Sequence, residues 1–140
     1  MYSIIYRSVA QEAFHKALIY KMLSRARDFN AENNITGCLL YHNNVFLQLI
    51  EGDKETISDL YGRIEEDERH SNVKLLLSED IKTRIFKKWD MAFQDLGEEK
   101  YNKLHKMAQI QKLFDESNMF LKASDSSLVL FKSVSEILEY

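Results

Sequence analysis

Residues 35–52, ITGCLLYHNNVFLQLIEG, decide how this chain folds. Two apolar runs, rich in aliphatic and aromatic residues, flank the turn-forming triplet His42-Asn43-Asn44. The stretch therefore reads as a β-hairpin with strands over 35–41 and 45–51. In the second strand Phe46, Gln48 and Ile50 share one face, while Val45, Leu47 and Leu49 share the other. Both faces are mainly apolar, as expected of a central strand covered on each side. Gln48 is the exception. A buried amide left without partners costs about 1–3 kcal/mol, so something at this position has to hydrogen-bond with it.

Working outward, residues 2–7 (YSIIYR) form a short apolar run that reads as a buried strand with Tyr2, Ile4 and Tyr6 on one face. From Glu12 to about Asn30 the pattern is helical, with Leu18, Met22, Ala26 and Asn30 on one stripe. Asn33-Asn34 supply a helix stop that tolerates left-handed backbone. Gly52-Asp53 end the hairpin, and residues 54–68 form a second helix with the stripe Ile57, Leu60, Tyr61 and Ile64. Residues 73–78 and 85–93 are two further strand-like runs, the latter placing Trp89, Met91 and Phe93 on one face. The order β-α-β-β-α-β-β predicts an α+β fold, a ferredoxin-like sheet with one extra strand and two helices on one face. After Gly97, residues 98–122 and 126–139 read as amphipathic helices joined by a polar link. The chain thus divides into a domain over 1–97 and a C-terminal helical extension over 98–140.

The chain has 140 residues, a formal net charge of −3 and interleaved acids and bases. That balance argues against direct nucleic-acid binding or an anionic membrane surface, both of which favour a concentrated basic face. No stretch approaches the roughly 20 apolar residues of a membrane span, and the N-terminus lacks the pattern of a signal peptide. The single cysteine, Cys38, excludes an internal disulfide and suits a reducing cytoplasm. It sits in an apolar strand, the setting of a packing residue rather than a nucleophile. His15, His42, His70 and His105 are scattered, so no metal site is expected, and no glycine-rich phosphate loop is present.

Three polar features stand out against this background. Arg63, Asp67 and His70 form a stripe at the edge of the second helix; a solvated face with an Arg63–Asp67 pair would also account for it. Asn30 continues the inward stripe of the first helix, where a helix cap is the plainer explanation. Tyr6 and Gln48 both lie on central strands, where they could simply satisfy each other. In a helix-on-sheet fold, however, all three converge on the cleft between the two helices. Met22, Ile64 and Phe46 would supply its apolar sides. An amide that both donates and accepts suits a flat heteroaromatic ring with carbonyls and ring nitrogens.

The segments IIYRS (4–8), FNAENNITGCLLY (29–41), VFLQLIEG (45–52), LYGRIEEDERH (60–70) and RIFKKWDMAF (84–93) together resemble the BLUF family of blue-light sensors using FAD. The resemblance covers residues 1 to about 95 and is similar to short members with a helical C-terminal cap. It implies non-covalent FAD, with FMN as an alternative flavin. It further implies Tyr6 and Gln48 as the photoactive pair, and Asn30, Arg63, Asp67 and His70 as flavin-binding groups alongside Gln48. Met22, Phe46 and Ile64 would flank the ring, and Ser8, Trp89 and Met91 would relay the signal.

The implied mechanism is light-driven electron and proton transfer from Tyr6 to the flavin, rearranging the Gln48 hydrogen bonds by rotation or tautomerisation. The signal would leave through strand 5 and the C-terminal helices, towards a protein partner or a homo-oligomer. No enzymatic output domain is expected. Two departures from the family pattern are Asn34, where glycine is common, and Phe29, where related chains can carry a polar residue. Two other classes stand against this reading. An acylphosphatase-like enzyme would need an anion loop that Arg7-Ser8 imitates poorly. The other is a flavin-free regulatory or RNA-binding sheet, of which RNA binding would need exposed strand aromatics in basic surroundings.

Overall fold

The computed structural model describes residues 1–11, 16–87, 91–95 and 125–138. Its elements are β1 (Tyr2–Ala10), α1 (Lys16–Glu32), β2 (Thr36–His42), β3 (Val45–Gly52), α2 (Lys54–Glu66), β4 (His70–Asp80), β5 (Ala92–Asp95) and α3 (Asp125–Leu138). The sheet order is β4-β1-β3-β2-β5, with β5 parallel to β2 and the other neighbours antiparallel. This is the expected ferredoxin-like α+β sheet, and β3 is its middle strand.

Alternation along the strands builds two cores. On one face Ile4, Leu39, Phe46 and Ile50 pack against Ile19 and Leu23 of α1 and Ile57 of α2. On the other, Ile5, Cys38, Leu40, Leu47 and Leu49 pack with Leu130, Phe131 and Val134 of α3. β3 is thus covered on both sides, as its sequence requires.

Asparagines make the turns. Asn43 (φ 49°) and Asn44 (φ 65°) form a two-residue hairpin loop between the paired residues His42 and Val45. Asn34 (φ 55°) closes α1: Ile35 N–H donates to the Asn30 carbonyl (2.8 Å) and Asn34 N–H to that of Ala31 (3.4 Å). This is a Schellman stop, in which asparagine takes the left-handed residue usually supplied by glycine. α2 begins at Asp53, whose side chain accepts from the Thr56 N–H at 3.3 Å.

Several boundaries differ from the sequence reading. The stripe of α1 is rotated: Ile19 and Leu23 are buried, whereas Leu18 is 39% exposed. Period-four spacing from Leu18 picked a line running beside the core stripe, which follows Ile19, Leu23 and Asn30. α2 stops at Glu66 rather than at 68, because Asp67 turns to extended backbone (ψ 121°).

Among the described residues of the expected strand over 85–93, those at 85–87 are not in a strand and β5 spans Ala92–Asp95; residues 88–90 lie outside the described residues. Ile85 is held off the sheet by the Glu51 carboxylate, which accepts its N–H at 2.8 and 3.0 Å. Arg84 locks the same segment by donating to Thr36 Oγ1, the Glu51 carbonyl and the Asn34 carbonyl (2.8–2.9 Å). Phe86 then inserts beneath the sheet, edge-on to Phe131 at 6.4 Å. The helix expected over 98–122 lies outside the described residues; that expected over 126–139 is α3.

Candidate functional site

Between α1 and α2, above β1, β2 and β3, opens a cavity of about 260 Å³. Its floor is the register pair Tyr6–Gln48, which sit directly opposite each other on β1 and β3. The Tyr6 hydroxyl donates to Gln48 Oε1. Gln48 Nε2 in turn donates to the sulfur of Met91, 3.2 Å away. The amide that the sequence left unexplained thus has a partner on each side.

Tyr6 is buried, and burial raises its phenol well above the ordinary range, with Tyr61 and the Asp67 charge adding to the effect. Its ring lies 5.8 Å from that of Tyr61 and edge-on to His70 at 6.2 Å. The phenol is therefore neutral at any working pH, a held proton with one committed acceptor.

The walls come from the helices. α1 contributes Met22, Leu23, Ala26 and the buried Asn30; α2 contributes Leu60, Arg63 and Ile64. Phe46 and Leu39 complete the apolar surface. The rim where α2 ends carries Asp67, Arg69 and His70. Asp67 does not pair with Arg63. Arg63 lies over the Phe29 ring, 4.6 Å from its centroid. Asp67 instead accepts from the Arg69 backbone N–H and Nε, both at 2.9 Å, and from its Nη2. That side-chain hydrogen bond holds the Asp67 carboxyl below its ordinary range, against the effect of partial burial.

His70 bridges two elements. Its Nε2 lies 2.6 Å from the Ile64 carbonyl and its Nδ1 2.8 Å from Ser8 Oγ. A carbonyl can only accept, so Nε2 carries the hydrogen and donates to it. Ser8, fully buried and opposite Phe46 on β3, is tied to His70 rather than to Gln48.

Tyr6, Met22, Asn30, Phe46, Gln48, Arg63, Ile64, Asp67, His70 and Met91 all line this one cavity. Ser8 touches it only through His70, and Trp89 lies outside the described residues. Arg69, one residue past the helix expected over 54–68, was not singled out in the sequence; its i+2 spacing to Asp67 was the available signal. Elsewhere, burial pushes the Cys38 thiol up, in keeping with a packing role. Among the described residues no cluster suited to a metal ion is found, and no helix is long and apolar enough to cross a membrane.

Comparison with known proteins gives one consistent result. The family model "BLUF: Sensors of blue-light using FAD" matches residues 1–92. The blue light- and temperature-regulated antirepressor BluF of Escherichia coli (strain K12) is 32% identical over 134 residues, covering 94% of this chain and 32% of that protein. The photoactivated adenylate cyclase subunit beta of Euglena gracilis is 31% identical over 84 residues, covering 60% of this chain and 10% of that protein. The chain thus spans a third or less of these relatives. A solved structure described as "BlrB - a BLUF protein, dark state structure" superposes with a TM-score of 0.77 at 26% identity, covering 97% of this chain and 96% of the other.

Proposed function

This chain belongs to the BLUF family of blue-light sensors that use FAD, and on that footing we propose that it is a photoreceptor in which Tyr6 and Gln48 form the switch. The observation that carries the reading is the Tyr6–Gln48 hydrogen bond at the floor of a cavity lined by both helices.

The cavity suits the family's cofactor. Its sides are apolar, and its two amides, Asn30 and Gln48, can each donate to and accept from a ring that carries carbonyls and nitrogens. Arg63, Arg69 and His70 line the same cavity and would supply hydrogen-bond donors to an anionic tail. Bound there, the flavin supplies blue-light absorption and, once excited, an electron acceptor.

Every other step falls to the chain's own residues. Tyr6 gives up an electron and then its phenolic proton, for which Gln48 is the adjacent acceptor. Gln48 exchanges the roles of its amide oxygen and nitrogen, by rotation or tautomerisation, and Tyr6 then recovers both electron and proton. The outcome is a changed hydrogen-bond pattern, a bistable element biased by light. Met91 feels the change first, since its sulfur holds the Gln48 nitrogen. Ala92, the next residue, packs on the opposite face with α3, which offers a route from the cavity to the C-terminal helix. Output then passes through β5 and α3 to a protein partner or a second copy of the chain, with no enzymatic step by this chain and with the cytoplasm as its setting.

The test is spectroscopic. The protein supplied with FAD is expected to turn yellow, with a blue band that shifts red on illumination and returns in darkness. Failure to take up FAD, or uptake with no shift, would overturn the reading.

A further inference from the structure

Met91 is gripped from three directions. Its sulfur accepts from Gln48 Nε2 at 3.2 Å, and its terminal methyl lies over Gly37, where a Cβ would come within 3.2 Å of it. Its backbone carbonyl accepts from Arg27 Nε at 3.1 Å. The ladder of β5 with β2 begins only at the pair Cys38–Ala92, so Met91 lies just ahead of it. β5 is a four-residue strand, and at its start the Arg27 bond ties it to α1.

The helix that supplies this bond also lines the cavity. Ala26 faces the cavity, while Arg27, one residue on and about 100° around the helix, reaches β5 instead. The donor is Nε, the guanidinium nitrogen nearest the stem, so the side chain has to lie against β5 rather than extend into water. A hydrogen-bonded chain thereby runs from Tyr6 through Gln48 and Met91 to Arg27, an otherwise exposed residue.

Resting on the photoreceptor reading, we propose that Arg27 is a positioning residue of the switch: it fixes the Met91 backbone so that the Met91 sulfur registers the state of the Gln48 amide. A thioether is a weak acceptor. When Gln48 turns its oxygen towards the sulfur, Met91 loses that partner and has to move. With its carbonyl anchored to α1, the movement is confined to the side chain and the following strand. Without the anchor, the start of β5 is loose in both states and the two are no longer distinguished.

The experiment uses the full chain loaded with FAD and carrying ¹³C-methyl methionine, with the Met91 signal assigned by its disappearance in Met91→Leu. Arg27→Ala keeps α1 intact, because alanine is the best helix former and the site is exposed. This variant is expected to bind flavin and to show the full red shift, while the light-minus-dark shift of the Met91 methyl falls below half of the wild-type value. Arg27→Lys, which keeps a cationic donor, is expected to restore most of it. A wild-type methyl difference in Arg27→Ala would overturn the proposal, as would an equal loss in Arg27→Lys. Absence of a red shift in the wild-type protein would instead reject the photoreceptor reading, a separate outcome read in a separate spectrum.

Discussion

Tyr6 and Gln48 face each other across the β1–β3 pair, and the tyrosine hydroxyl donates to the glutamine oxygen. Their contact joins a proton held on a neutral, buried phenol to an amide whose other end holds Met91. Tyr6→Phe keeps the ring and the packing and removes only the hydroxyl, a loss of about 1 kcal/mol of stability for one hydrogen bond. Flavin is expected to remain bound while the reversible red shift disappears; an absorption spectrum before and after blue light checks this.

Arg69 is the rim residue that orders Asp67. The pair is partly exposed, so Arg69→Ala should change folding stability by no more than about 1 kcal/mol. Flavin binding is expected to suffer more, by about tenfold in Kd, or roughly 1.4 kcal/mol. A flavin-fluorescence titration beside a urea unfolding curve separates the two effects.

Gly37 is required by close approach rather than by a turn. A Cβ there would sit 2.0 Å from the Leu49 carbonyl oxygen on the neighbouring strand. Backbone has to yield, so Gly37→Ala is expected to destabilise the chain by about 1–3 kcal/mol, measurable as a lowered urea midpoint.

Glu51 gives the protein a pH dependence near neutrality. Burial pushes its carboxyl up from 4.5 to about 7, although the backbone N–H groups of Ile85 and Phe86 and the Arg84 charge favour the ionised form. A folded-state value above the unfolded one means that the protonated form is favoured by folding. The contribution is complete below about pH 4.5 and is lost as pH rises through 7. Over that window the effect amounts to about 3 kcal/mol. Asp67, lowered in the folded state, acts in the opposite sense, its contribution being lost as pH falls below its ordinary value of 3.8. Unfolding curves from pH 5 to pH 8 should therefore show a falling stability that Glu51→Gln flattens.

The apolar character of both faces of 45–52 announced a central strand, and the asparagines announced the turns, because both are local features of the sequence. The contents of the 81–87 segment were not legible. Ile85 and Phe86 look like strand residues, yet the Glu51 carboxylate, distant in sequence, takes the Ile85 backbone N–H. The site was legible where a polar residue interrupted an apolar pattern, as Gln48, Tyr6 and Asn30 do. It was hidden where a charged residue on an exposed surface reaches inward. Arg27 and Arg69 look like solvated arginines until folding brings Met91 and Asp67 to them.

We propose that Gln48, held by Tyr6, is the element that light switches. The most direct test is a light-minus-dark absorption difference spectrum of FAD-loaded wild-type protein recorded beside Gln48→Leu. A reversible red shift in the wild type and a bound but unresponsive flavin in Gln48→Leu is the predicted result. A normal red shift in Gln48→Leu would contradict the account.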